Sequence, residues 1–344
     1  MYYIKKHLAD LERKRAGTYR KTDSGLFLDR NERTVPYESI ITKSLYDHLL
    51  KINLGLYPEI EPFYEKLSNW LGINKEEIYI TEGVDGAVKA LTETLTIPGK
   101  NNIVFPNPTF ALYPVYCEMF EVKPMLVGYL KNYDLNFQEL LSSINGDTAI
   151  VFLPNPNMPI EGSIEIGRIK ILAEYCLKRN VMLVLDEVYY PFGELTGIEL
   201  TKEFHNVLVM RSFSKAFGLA GIRLGYLIGN RKIINYVSKT RTGYESNSVS
   251  MGIASFFIDH YEIVSEYVQE VKKGLNFLKS KLDHFGIEYN GGDIGNFIFI
   301  NLNNSVLAKK MVRSLSQNNI YVRGGWPAPF DGGISVTGAP KHMM

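Results

Sequence analysis

The chain has 344 residues, 38 Lys and Arg against 37 Asp and Glu for a net charge of +1, 45% hydrophobic and 22% charged residues, and two cysteines. Such proportions are those of a soluble globular chain, whose domains run roughly 100–200 residues, so one large domain plus a smaller one is expected. Balanced charge without a basic block leaves no electrostatic footprint for nucleic acid, and no apolar run approaches the roughly 18 residues that span a bilayer.

The first residues, M-Y-Y-I-K-K-H-L-A-D-L-E-R-K, mix charge with a helical apolar pattern at Ile4, Leu8 and Leu11. They lack the apolar core and small-residue cleavage site of a secretory leader, and the cytoplasm is the expected compartment. Short β-rich apolar runs follow at 78–81, 102–105, 149–153, 181–185, 207–210 and 224–229, with helical patterns at 85–96, 109–120 and 163–178 between several of them. This strand-helix rhythm predicts an α/β domain with a mostly parallel sheet covered by helices. Cys117 and Cys176 stand alone, so neither a disulfide framework nor a metal site is indicated. From Ser248 to Phe285 the pattern becomes one long helical stretch. After it come F-I-F-I-N-L (297–302), a helix near 305–317, I-Y-V-R (320–323) and G-I-S-V-T (333–337). The change reads as a smaller α+β domain, giving an N-terminal arm and part of the small domain over 1–40, a large domain over 41–250 and a C-terminal small domain over 251–344.

Three segments carry chemistry. In M-R-S-F-S-K-A-F-G-L-A-G-I-R-L-G (210–225) a lysine follows a strand end, with hydroxyls at Ser212 and Ser214 and Arg223 eight positions on. Lysine is a compact amine whose pKa falls on burial, which suits imine chemistry beside an anion pocket; the plainer reading makes Lys215 and Arg223 surface charges on a loop. In V-M-L-V-L-D-E-V-Y-Y (181–190) Asp186 ends an apolar strand, at the edge where open α/β sheets bind ligands, with Tyr189 three positions on. Its plainer role is a helix cap. In Y-I-T-E-G-V-D-G (79–86) Gly83, Val84 and Asp85 open a helix after a strand, a ready phosphate site. Neither G-x-G-x-x-G nor the P-loop pattern occurs. An aldehyde on Lys215, a pyridinium on Asp186 and a phosphate on a helix N-terminus, Ser212 and Arg223 together match the needs of pyridoxal 5′-phosphate.

The sequence resembles the fold-type I pyridoxal-phosphate aminotransferases, in their histidinol-phosphate aminotransferase-like branch. The likeness runs from L-D-R-N-E-R (28–33) to S-V-T-G (335–338) through G-L-Y-P (55–58), G-V-D (83–85), N-P-T-F-A-L-Y (107–113), N-P-N-M-P (155–159), D-E-V-Y (186–189) and S-F-S-K-A-F-G-L-A-G-I-R (212–223). It implies a seven-stranded sheet, Lys215 as imine-forming lysine and proton shuttle, Asp186 as pyridinium partner and Tyr189 as donor to the ring 3-oxygen. It further implies Phe110 stacked on the ring, and phosphate held by Ser212, Arg223 and the amides at Val84 and Asp85, with Gly83 and Ser214 beside them. Tyr57 would reach the neighbouring subunit's cofactor, which implies a homodimer.

The chain departs from the family pattern in three places. Met158 stands where the family has an asparagine touching the ring 3-oxygen, leaving Asn157 or Tyr189 to hold it. Ser335 stands where the family carries its carboxylate-clamping arginine, so that Arg30 becomes a candidate cation beside Asn31, and Arg323 matches a second arginine at the phosphorylated end of substrates. The chain also stops at Met344, short of the usual terminal helix. The resemblance implies transfer of an amino group between an amino-acid donor and a small phosphorylated carbonyl compound. Decarboxylation of a phosphorylated amino acid is the alternative on the same fold, and a non-catalytic cofactor-binding protein is a further one.

Overall fold

The computed structural model describes residues 4–11 and 25–344. Its strands in chain order are β1 (Leu26–Leu28), β2 (Ile78–Thr81), β3 (Asn102–Pro106), β4 (Lys123–Val127), β5 (Thr148–Pro154), β6 (Met182–Asp186), β7 (Val207–Ser212), β8 (Gly225–Gly229), β9 (Tyr289–Gly291), β10 (Phe297–Asn301), β11 (Ile320–Val322) and β12 (Gly333–Thr337). Seven of them form one sheet in the order β2-β8-β7-β6-β5-β3-β4, in which β8 runs antiparallel to both neighbours and the other pairs are parallel. The expected mostly parallel, helix-covered α/β architecture is what the chain adopts.

The central strands are apolar throughout because both faces of the sheet are covered. Alternate residues serve different cores. Val184, Leu208 and Leu227 pack with Val84, Leu91, Tyr113 and Cys117 from the helices Gly83–Leu95 and Leu112–Met119. Leu183, Leu185 and Val209 face the other way, toward Leu172 and Cys176 of the helix Ile166–Leu177 and toward Phe257 and Val271. Both cysteines are free and buried.

The stretch expected as one helix from 248 to 285 is two, Ser248–Asp259 and Tyr261–His284, separated at His260, whose backbone leaves the helical region (φ −116°, ψ 49°). The boundary expected at residue 250 falls within the first of them. Beyond them, β9, β10 and β12 form an antiparallel three-stranded sheet, while β1 pairs in parallel with β11. Residues 26–28 therefore join the C-terminal part of the chain, and the segment that follows them, including Arg30 and Asn31, is carried to the mouth of the large sheet. No helix among the described residues is long and apolar enough to cross a membrane.

Candidate active site

The parallel strands direct their carboxyl ends to one edge of the sheet, where ligand-binding residues collect in open α/β folds. Asp186 is the last residue of β6, Ser212 the last of β7, and Lys215 follows three positions later. Asp186 is buried; its Oδ1 accepts from the Val188 amide at 3.1 Å and its Oδ2 from the Tyr113 hydroxyl at 2.6 Å. Burial pushes this carboxyl up to about 6, although the Tyr113 and Val188 donors pull the other way. Tyr113 is held by stacking on Phe152 at 4.8 Å, and Phe110 meets it edge-on at 5.6 Å.

Lys215 donates from Nζ to the carbonyl of Arg30 at 3.0 Å and lies 5.9 Å from the centre of the Tyr189 ring. Burial lowers its amine to about 8, so about a tenth of it is neutral at pH 7 and about half at pH 8. The Tyr189 hydroxyl accepts from Asn31 Nδ2 at 2.9 Å, and its second neighbour is the Met158 sulfur at 3.9 Å. Asn31 in turn is tied to Thr337 of β12 by two bonds, from its amide to Oγ1 at 2.9 Å and from Oγ1 to its Oδ1 at 3.0 Å.

The phosphate side is built from backbone. Gly83 has a left-handed φ of 68°, and a Cβ there would stand 2.9 Å from Arg223 Nη2. At Gly225 a Cβ would strike the Gly83 backbone at 2.8 Å, so both glycines are required by the close approach of β8 to the helix start. Gly83–Leu95 begins there, presenting the unpaired amides of its first turn. Arg223 itself sits at φ 52° and pairs with Asp85 at 3.0 Å; Ser212 and Ser214 hydroxyls lie 2.9 Å apart, both buried.

Residues 24–338 match the family described as aminotransferase class I and II. The chain belongs to that family. A histidinol-phosphate aminotransferase of Pyrococcus furiosus is 29% identical over 305 residues, covering 87% of this chain and 85% of the relative. Histidinol-phosphate aminotransferase 2 of Oceanobacillus iheyensis is 31% identical over 281 residues, covering 79% and 75%. The structure of the Sinorhizobium meliloti histidinol-phosphate aminotransferase in complex with pyridoxal-5′-phosphate shares the fold with a TM-score of 0.84 at 21% identity, covering 93% of this chain and 88% of that one.

This class I and II aminotransferase is a fold-type I transaminase dependent on pyridoxal 5′-phosphate. The residues present fit the cofactor: a buried amine inclined to be neutral, a buried carboxylate at a strand end, an aromatic face at Phe110, and a helix start that admits no Cβ.

Four of the expected residues have other contacts in this structure. Asn157 is not free to replace the amide missing at Met158, because its Nδ2 is committed to the Pro108 carbonyl at 2.8 Å and to the Tyr129 hydroxyl, and its Oδ1 accepts from Thr109 at 2.8 Å. Asn31, expected to meet substrate, instead bonds Tyr189 and Thr337. The Arg30 side chain lies against Asp29, with Nε 3.6 Å from Oδ2, and it is the Arg30 carbonyl that meets Lys215. Tyr57, expected to serve the neighbouring subunit's cofactor, is exposed and stacked on Tyr244 at 4.9 Å.

Sequence reasoning also missed residues. Tyr113 lies one helical turn beyond Phe110 in the same quoted motif, and that spacing was its only signal. Glu161, buried and at φ 57°, accepts from the amides of Asp293 at 2.9 Å and of Gly295, so the loop bearing Met158 is clasped to the loop between β9 and β10. Trp326, buried, lies under the Arg323 guanidinium at 4.3 Å.

Proposed function

We propose that this aminotransferase acts on a small phosphorylated substrate, holding the single anionic end at Arg323. The observation that carries the reading is the state of that guanidinium: among the described residues it pairs with no carboxylate, it rests on the face of Trp326, and burial lowers its pKa. A partly desolvated cation with no ion-pair partner among the described residues, and only the Asp29 charge acting on it from beyond pairing distance, suits an anionic ligand. Arg323 and Ser335 exchange backbone bonds at 3.0 and 2.7 Å, so the position that lacks a cation is adjacent to the one that has it. The relatives named above are histidinol-phosphate aminotransferases, which agrees with a phosphorylated ligand.

In this reading pyridoxal phosphate, when bound, supplies the electron sink. Asp186, supported by Tyr113 and Val188, would hold the positive ring nitrogen. Tyr189 would donate to the ring oxygen and Phe110 would cover the ring face. Gly83, Val84, Asp85, Ser212, Ser214 and Arg223 would bind the phosphate group. Lys215 would be the covalent attachment point and, as a neutral amine, the base that takes and returns the proton.

The assembly belongs to the same proposal. Leu54, Leu56 and Tyr57 are 76%, 68% and 78% exposed, and such a contiguous apolar run favours a second copy of the chain as its cover. Light scattering of the purified protein should give twice the chain mass. Two free, buried cysteines agree with a reducing compartment, the cytoplasm.

The test is spectroscopic. The loaded protein should show a visible band that disappears on adding L-histidinol phosphate or a smaller phosphorylated amine, as the cofactor takes up the amino group. Equal conversion by the dephosphorylated compound would refute the phosphate assignment at Arg323. Release of carbon dioxide from a phosphorylated amino acid would move the enzyme to the decarboxylase alternative.

A further inference from the structure

The segment 29–33 enters the site from the side of the small sheet and makes two contacts with residues of the large one: the Arg30 carbonyl on Lys215 Nζ and the Asn31 amide on Tyr189 Oη. The second contact has a defined direction. Thr337 Oγ1 accepts from the Asn31 backbone amide and gives its own proton to Asn31 Oδ1. Turning the amide over would leave the proton of fully buried Thr337 without an acceptor, so Nδ2 faces Tyr189 and donates to it. The Asn31 carbonyl is fixed as well, by Asn296 Nδ2 at 3.1 Å. With one lone pair of Tyr189 Oη occupied, its proton has, among the described residues, the Met158 thioether as its acceptor, a weak one at 3.9 Å.

We propose that Asn31 is a positioning residue for Tyr189: its amide, locked by Thr337, commits the phenol to act as a donor and reserves the proton for the 3-oxygen of the cofactor. This rests on the reading that Tyr189 faces that oxygen. The neighbouring loop has no donor of its own for the task, since Met158 carries none and both Nδ2 protons of Asn157 are engaged. Asn31 also strengthens the donor, because a hydrogen bond received at Oη stabilises the negative charge that builds there as the proton is shared. Burial of Tyr189 opposes this, and Asn31 is the leading influence against it.

A donor on the ring oxygen draws negative charge away from the nitrogen that joins Lys215 to the cofactor, so this nitrogen loses its proton at lower pH. The visible absorption of the loaded protein reports that event without any turnover. The experiment is a pH titration of this absorption for the wild type, Tyr189→Phe, Asn31→Gly and the double variant. Glycine keeps the left-handed backbone at φ 54° and removes the side chain, the donor to Tyr189 together with the acceptor for Thr337.

Tyr189→Phe should raise the midpoint, and Asn31→Gly should raise it by about 0.5–1 pH unit, the worth of one hydrogen bond. In the Tyr189→Phe background the glycine should add nothing. Asn31→Asp, isosteric and equally tolerant of the backbone, should raise the midpoint further than glycine because a carboxylate accepts the phenol proton; it also serves if the glycine variant does not fold. An unchanged midpoint in both Asn31 variants while Tyr189→Phe moves it would overturn the inference and leave the cofactor reading intact. The same would follow from a glycine effect of equal size with and without the Tyr189 hydroxyl. No shift in Tyr189→Phe itself would overturn the reading beneath it.

Discussion

The Tyr113 hydroxyl donates to Asp186 Oδ2 at 2.6 Å from a ring stacked on Phe152, so the carboxylate expected to hold the cofactor nitrogen is itself held by a residue from a different strand-helix unit. Tyr113→Phe keeps the stacked ring and removes the bond. The carboxyl then loses a donor that favours its ionised form, and affinity for pyridoxal phosphate should fall by about 10-fold, the low end of the range for a hydrogen bond to a charged group. Fluorescence titration of the cofactor-free protein measures it.

Asp186 gives a pH signature in the cofactor-free protein. Its folded pKa, about 6, lies above its ordinary value of 3.8, so between these values the native state holds a proton that the unfolded state has lost. Stability therefore falls as pH rises from about 4 to about 6, by about 2–3 kcal/mol in all, and stays lower above that window. Asp186→Asn should remove this part of the slope in urea midpoints measured from pH 4 to 7, leaving the part due to Glu161, whose pKa burial also raises. Loaded with cofactor, the same variant should lose about 10²-fold or more in turnover, as preorganised charge is removed from the reacting system.

For Lys215 the neutral amine is the nucleophile, and its pKa of about 8 sets the pH dependence of loading. The rate of cofactor capture should climb about tenfold per pH unit below pH 8 and flatten above it. Lys215→Ala should show no such rise, no visible imine band and a loss of turnover of at least about 10²–10⁴-fold. Stopped-flow absorbance checks the first part and steady-state assay the rest.

Arg323→Gln should raise KM for a phosphorylated substrate by about 10- to 100-fold, the range of a hydrogen bond to a charged group, with a smaller change in kcat. Lysine at the same position should recover only part of this, since it lacks the planar fork and stacks less well on Trp326. Initial-rate kinetics with the phosphorylated and dephosphorylated compounds separates the two terms.

Glu161→Gln should destabilise the protein by about 1–3 kcal/mol, because the Asp293 and Gly295 amides are received by different carboxylate oxygens and glutamine offers only one, which leaves a buried amide N–H unpaired. Chemical denaturation at neutral pH reads this directly.

Much of the large sheet was legible because its central strands are covered on both faces and so read as unbroken apolar runs. The strand that escaped, Lys123–Val127, lies at the edge of the sheet, with Lys123 and Pro124 exposed; those residues protect an open edge and erase the strand pattern. The break at His260 was hidden because apolar spacing continues across it. The cofactor residues at strand ends were readable, since type and spacing alone place a lysine, an aspartate and glycines there. Asn31 was read only as a substrate contact, because its real partners Tyr189 and Thr337 lie 158 and 306 positions away. Tyr113 carried no signal separating it from an ordinary core tyrosine.

Thr337 gives the Asn31 network a consequence for biosynthesis. The ribosome delivers Asn31, Asp186, Tyr189 and Lys215 long before it delivers β12. A nascent chain with its first 300 residues outside the ribosome already holds every group expected to touch the cofactor, yet lacks the hydroxyl that sets the Asn31 amide. The order of translation thus supplies the last strand after the other groups of the site, and a product truncated before residue 333 lacks the Thr337 hydroxyl that holds Asn31.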